Sequence, residues 1–157
     1  MCKKKLLNVI GTLFACAIIF FSKPLTKKIT DGFTIQAIRT VFPSDPKWTF
    51  PERDDVKKIL SQKFVYAAKG NQCYVFISED NQYVLKFFNQ RLYKRKGIEK
   101  REDDFTSYKI AYDLLREETG VIFLHLAPDR DFHHRVTLVD RLNIEHLMEM
   151  GDFEFLL

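Results

Sequence analysis

Apolar and polar positions along the chain fall into three regimes, and each predicts a different kind of element. From Leu6 to Ser22 the residues are uncharged and largely apolar, with Lys3, Lys4 and Lys5 before them and Lys23 and Pro24 after. No polar face recurs at helical spacing, which predicts a helix that is apolar all round. At ~1.5 Å per residue it spans roughly 25 Å, near the ~30 Å of a hydrocarbon core, and flanking lysines reach the headgroups. The segment therefore reads as a membrane helix at residues 6–22, within a 1–28 anchor or signal region. A retained signal-anchor is favoured, because Ile19, Phe20, Phe21 and Ser22 offer no small-x-small cleavage site. A cleaved signal peptide, and a lipoprotein signal around Leu13-Phe14-Ala15-Cys16, stand beside it. Lysines flank both ends, so the side of the membrane taken by the rest of the chain stays open.

Residues 29–62 read as a linker with its own short elements. Gly32 to Ile38 alternates apolar and polar residues, which predicts a short strand. Pro43, Pro46 and Pro51 punctuate a loop around Trp48, whose plainest role is a packing anchor. Asp54-Asp55 followed by Val56, Ile59 and Leu60 predicts a helix of about two turns.

From residue 63 to 157 the pattern is that of a compact α+β domain. Phe64–Ala68, Cys73–Ser78 and Tyr83–Phe88 are apolar, β-branched and aromatic runs separated by Lys69-Gly70-Asn71-Gln72 and Glu79-Asp80-Asn81-Gln82. They predict three antiparallel strands in a meander. A basic connector (Arg91, Lys94, Arg95, Lys96, Lys100, Arg101) leads into the longest helical pattern, about residues 101–119. There Phe105, Tyr108, Tyr112 and Leu115 share one face, Glu102, Asp103 and Asp104 occupy the first turn, and Gly120 supplies the stop. Further strands are predicted at Val121–Leu126, Arg135–Leu142 and Ile144–Met150. The expected architecture is an antiparallel sheet of about five strands with one long packed helix, preceded by a transmembrane helix.

Composition narrows the class without naming a reaction. The 157 residues are 46% hydrophobic and 29% charged, the balance of a folded domain rather than a disordered or low-complexity chain. A net charge of +4 is too mild to mark a nucleic-acid binder. Cys2, Cys16 and Cys73 form neither an even disulfide framework nor a CxxC pair. Asp131-Phe132-His133-His134 has no third ligand at metal spacing, and His125 in an apolar run reads as a core histidine. No metal and no cofactor is called for.

The order of elements resembles the N-terminal lobe of the protein-kinase-like fold. Ala68-Lys69-Gly70-Asn71-Gln72-Cys73-Tyr74-Val75 and Tyr83-Val84-Leu85-Lys86-Phe87 carry that resemblance. In the kinase pattern G-x-G-x-x-G-x-V, Gly70 and Val75 match the second glycine and the valine, while Ala68 and Cys73 replace the other glycines. The resemblance implies that Lys86 pairs with nucleotide phosphates and that the following helix supplies its glutamate, for which Glu102 is the best-placed residue. Without it, Gly70 is a hairpin glycine and Lys86 lays its stem on the sheet with its amine in solvent. The segment also looks like a group of bacterial proteins with a Tyr-Val-Leu-Lys-Phe-Phe strand, from which no activity carries over.

A phosphotransferase of this fold needs a catalytic-loop Asp and the metal-holding Asn and Asp, and no H-R-D-x-x-x-x-N or D-F-G string occurs. The closing Phe153-Glu154-Phe155-Leu156-Leu157 has no polar tail and reads as an interrupted lobe. The expectation is a non-catalytic, membrane-anchored binding or structural module, whose partner is a protein or a second copy packed on its exposed sheet. The alternatives are a nucleotide-binding pseudokinase remnant using Gly70, Val75, Lys86 and Glu102, or half of a split phosphotransferase.

Overall fold

The computed structural model describes residues 11–13, 18, 20, 27–51, 53–129, 132 and 134–157. Residues 1–33 and 34–157 form two compact units. In the first, residues 27–29 are helical and Gly32 N–H donates to Lys27 O at 2.9 Å, closing the turn. The predicted membrane segment at 6–22 lies mostly outside the described residues. No helix among the described residues is long and apolar enough to cross a membrane.

The second unit opens with α1 (Ile35–Ile38), where a short strand was expected. A single turn closed by Arg39 N–H on Ile35 O buries the adjacent Ala37 and Ile38 together, which an extended strand would send to opposite faces. A 3-10 turn at Pro46–Trp48 follows, with Asp45 accepting from Lys47 N–H, and then α2 (Asp54–Leu60), which buries Val56 and Leu60.

The predicted meander is present as β1 (Lys63–Lys69), β2 (Cys73–Ser78) and β3 (Val84–Phe88). The basic connector is α3 (Gln90–Lys96), N-capped by Asn89, whose side chain accepts from Arg91 N–H. Gly97, at φ 91°, separates it from α4 (Ile98–Leu114), and Leu115 breaks the predicted 101–119 helix before α5 (Arg116–Thr119). β4 (Leu124–His125), β5 (Arg135–Val139), β6 (Glu145–Glu149) and β7 (Phe155–Leu156) complete the unit.

The sheet has seven strands in the order β4-β7-β3-β2-β1-β5-β6. It is mixed, because β1 and β5 pair in parallel, with Phe64 opposite Leu138. The expected sheet of about five antiparallel strands is thus corrected. The β5–β6 hairpin adds to the free edge of β1, where apolar alternation foretells strands but not which edge receives them.

Alternation sorts the side chains onto two unlike faces. One is aromatic: Tyr66, Phe76, Phe87, Phe155 and Phe123 form a chain of ring contacts with centroids 5.6 to 6.1 Å apart. The other face is covered only at one end. There Phe88 meets Phe105 and Tyr108 of α4 at 5.1 and 5.2 Å. Beyond that end the register sets Val139, Val65, Ile77 and Val84 side by side across four strands. Val65 and Val84 remain 46% and 41% exposed, and Leu147 on the same face of β6 is 67% exposed.

Candidate functional site

Three of the four sequence-predicted site residues lie on β2, β3 and the turn joining β1 to β2, and the fourth is on α4. Gly70 opens that turn, and its N–H donates to Cys73 O at 2.8 Å. The hydrogen bond a phosphate would need from Gly70 is therefore spent inside the hairpin. The backbone at Gly70 is not left-handed, and a Cβ built there meets nothing nearer than Cys73 O at 3.6 Å, an ordinary contact. The fold does not itself require glycine at this position.

Lys86 sits in the middle of β3, directly opposite Val75 on β2 and Leu156 on β7. Val75 and Lys86 are thus neighbours on the partly uncovered face. Lys86 is half-buried and forms no ion pair with any described carboxylate. Glu102, the glutamate proposed for it, lies elsewhere on α4. Its Oε1 takes the Lys47 amine at 2.7 Å, at a partly exposed position. The residues α4 does bury are Arg101, Asp104 and Phe105, so Glu102 falls beside the inward stripe rather than on it.

Asp104 ties the β1–β2 turn to the helix. Its carboxylate accepts from Gln72 Nε2 at 2.8 Å and from Tyr93 OH at 3.3 Å, and pairs with Lys100. Gln72 also takes Tyr108 OH on its side-chain oxygen at 3.3 Å and Asn89 N–H on its backbone carbonyl at 2.7 Å. A turn held at this many points is a fixed hairpin end. Sequence reasoning missed this tie because a charged residue in a first helical turn reads as solvated, and Gln72 reads as turn chemistry.

Cys73 lies under this knot. Burial pushes its thiol up to about 11, against smaller opposing pulls from the Tyr108 hydroxyl and the Lys86 charge. At neutral pH it is a buried apolar side chain rather than a nucleophile. Burial, followed by the Asp104 charge, likewise raises the Tyr93 phenol, which stays a hydrogen-bond donor. Among the described residues no group of three or more His, Cys, Asp or Glu side chains is placed to hold a metal ion. His125 is buried on β4 between Phe132 and Phe155, at 4.9 and 5.1 Å.

The geometry thus offers one lysine amine on a largely aliphatic sheet face, paired with no carboxylate among the described residues, and a Gly70 amide already bonded within the hairpin. No protein-family model, no curated protein and no solved structure matches the chain.

Proposed function

We propose that residues 63–157 are a non-catalytic binding module with the build of a kinase-like N-terminal lobe, tethered to a membrane by residues 6–22. Its open sheet face takes a protein partner. The observation that carries this is the row Val65, Ile77 and Val84, continuing to buried Val139, in which Val65 and Val84 are 46% and 41% exposed, with Lys86, which pairs with no described carboxylate, next to it. An aliphatic patch rimmed by charge is a surface built to be covered. The lone amine selects what covers it: a protein surface of aliphatic side chains carrying a carboxylate, which reaches Lys86 as the valines are buried. The likeness to a kinase lobe is supported by three antiparallel strands followed by a long helix whose Phe105 and Tyr108 pack on Phe88 and Cys73 at one end of β3 and β2. Catalysis is disfavoured by Glu102 bonding Lys47 and by the Gly70 amide bonding Cys73.

Photocrosslinking from position 84 in the full chain, in its native membrane, tests this reading. A benzophenone side chain there is expected to give one protein adduct, whose yield falls at least about tenfold in Lys86→Glu, where the carboxylates repel. Lys94→Glu on α3 leaves the yield unchanged. An adduct that ignores Lys86→Glu, or one at twice the mass of the chain, overturns the acidic partner.

The nucleotide reading keeps one favourable observation: glycine at position 70 is not explained by backbone strain or crowding. Thermal shift with millimolar ATP separates the two. Stabilisation that vanishes in Lys86→Ala selects the nucleotide, and no shift removes it.

A further inference from the structure

The outer side of α4 is built unlike the side that faces the sheet. Arg101, Asp104 and Phe105 turn inward, and Tyr108 follows them onto Phe88. Helical spacing then sends Asp103, Ser107, Ile110 and Leu114 to the opposite side, one above another, and all four are exposed. Ile110 is 48% and Leu114 74% exposed, and Leu115, which breaks the helix, is 45% exposed. A surface helix keeps its outer stripe polar when only water lies against it. Three adjoining aliphatic side chains in water form a patch rather than scattered exceptions.

The patch has an acidic rim. Asp103 lies at one end of the stripe, and Glu117 and Glu118 of α5 lie just beyond the other. These three carboxylates are exposed and form no ion pair among the described residues. The cations close by are engaged elsewhere. Lys109 pairs with Asp113 at 2.8 Å, and Lys100 pairs with Asp104. Arg116 bonds Ile122 O at 2.9 Å, with its Cζ 4.7 Å from the centroid of Tyr112. Ser107 Oγ donates to the Asp103 carbonyl at 3.0 Å, so the position one turn before Ile110 is short and already satisfied. A short side chain beside aliphatic ones lets a second helix come close.

We propose that the outer stripe of α4 docks a basic amphipathic helix of a partner protein. The aliphatic side chains of that helix cover Ile110, Leu114 and Leu115, and its lysines or arginines meet Asp103, Glu117 and Glu118. A second copy of this chain is disfavoured. Laid antiparallel on itself about Ile110, the stripe brings Asp103 of each copy toward Glu117 and Glu118 of the other, carboxylate against carboxylate. The surface shares no residue with the valine row or Lys86, so the proposal stands whether or not the sheet face is occupied.

The full chain, carrying a benzophenone side chain at position 107, is irradiated in the cells that make it. One protein adduct is expected, its crosslinked segment carrying lysine or arginine every three or four residues. The yield falls at least about fivefold in Glu117→Lys with Glu118→Lys, where the charges repel, and as far in Leu114→Asn, where the apolar anchor is lost. Leu114→Met keeps the anchor and the yield. All three positions are exposed, so these variants hold the parent's urea midpoint, which separates lost docking from lost folding. The position-84 crosslink is unchanged in them, because it reads the sheet face. No adduct, an adduct at twice the mass of the chain, an acidic crosslinked segment, or a yield indifferent to the charge reversal overturns the proposal.

Discussion

Arg101 and Glu154 face each other almost entirely out of water, with 1% and 0% of their side chains exposed. Glu154 Oε1 accepts from Arg101 Nη2 at 2.5 Å and from Thr40 Oγ1 at 2.8 Å, while its Oε2 accepts from Gln90 Nε2 at 2.8 Å. Arg101 also lies over the ring of Phe105, its Cζ 4.4 Å from the centroid. One carboxylate thereby joins α4, α3, the loop after α1 and the residue preceding β7. Desolvation makes such a pair costly to form and worse to halve. Glu154→Gln strands a buried guanidinium and is expected to cost about 3–5 kcal/mol in urea unfolding. Adding Arg101→Met restores much of that loss, because methionine still fills the space against Phe105, and the new amide accepts from Gln90 through its oxygen while its NH2 donates to the Thr40 hydroxyl. A double variant as unstable as the single would show that the charge itself was not the problem.

The β5–β6 hairpin shows what holds an element that α4 does not cover. Asp140 ends β5, and its Oδ1 accepts from the backbone N–H groups of Leu142 and Ile144 at 2.8 and 3.0 Å. Its Oδ2 lies 2.9 Å from His146 Nε2, and Asn143 takes the left-handed conformation at φ 61° that closes the turn. Burial opposes the charged form of Asp140, but His146 and the two amides outweigh it and hold the carboxyl below its usual value. A depressed carboxyl stabilises the folded state above its unfolded pKa of about 4, and that contribution is lost as pH falls through the folded value. Amide exchange is thus expected to rise in residues 135–149 before the β1–β3 meander on acidification. Asp140→Ala produces the same loosening at neutral pH, at a cost of about 1–3 kcal/mol; uniform loss of protection across the sheet would refute it. The hairpin also marks how far the residue pattern reaches. The two strands and the turn at Asn143 are legible in it, as are β1 to β3 and α2. The Asp140 cap, which ends β5 three residues before the predicted Leu142, is not, since an aspartate between a valine and an arginine is equally at home in an edge strand. The same blindness hides Arg101 and Asp104, which read as surface charges until Glu154 and Gln72 are seen beside them. The site residues follow suit. Alternation puts Val75 and Lys86 on one face, but the pairing of Glu102 with Lys47 depends on a loop more than fifty residues upstream, which no local pattern encodes.

Across the whole second unit, the unequal faces of the sheet predict unequal tolerance to substitution. Phe76 is fully buried and touches Tyr66 and Phe87 ring to ring, so Phe76→Ala removes aromatic area and leaves a cavity, with an expected loss of about 3–5 kcal/mol. Val65 lies on the neighbouring strand with nearly half its surface in water, and Val65→Lys is expected to stay within about 0.5 kcal/mol of the parent. Both substitutions sit in the same sheet, so a large cost at Phe76 and almost none at Val65 in denaturant unfolding separates core from surface without reference to any partner. If Val65→Lys costs as much as Phe76→Ala, the second face is covered in the folded chain, and the docking surface assigned to it disappears. If it is silent in stability yet abolishes the position-84 crosslink, the aliphatic row serves association rather than folding. That asymmetry is the property the proposed binding module requires: a sheet packed along one side, and on the other packed only where α4 meets Phe88 and Cys73, with Val65 and Val84 left in water.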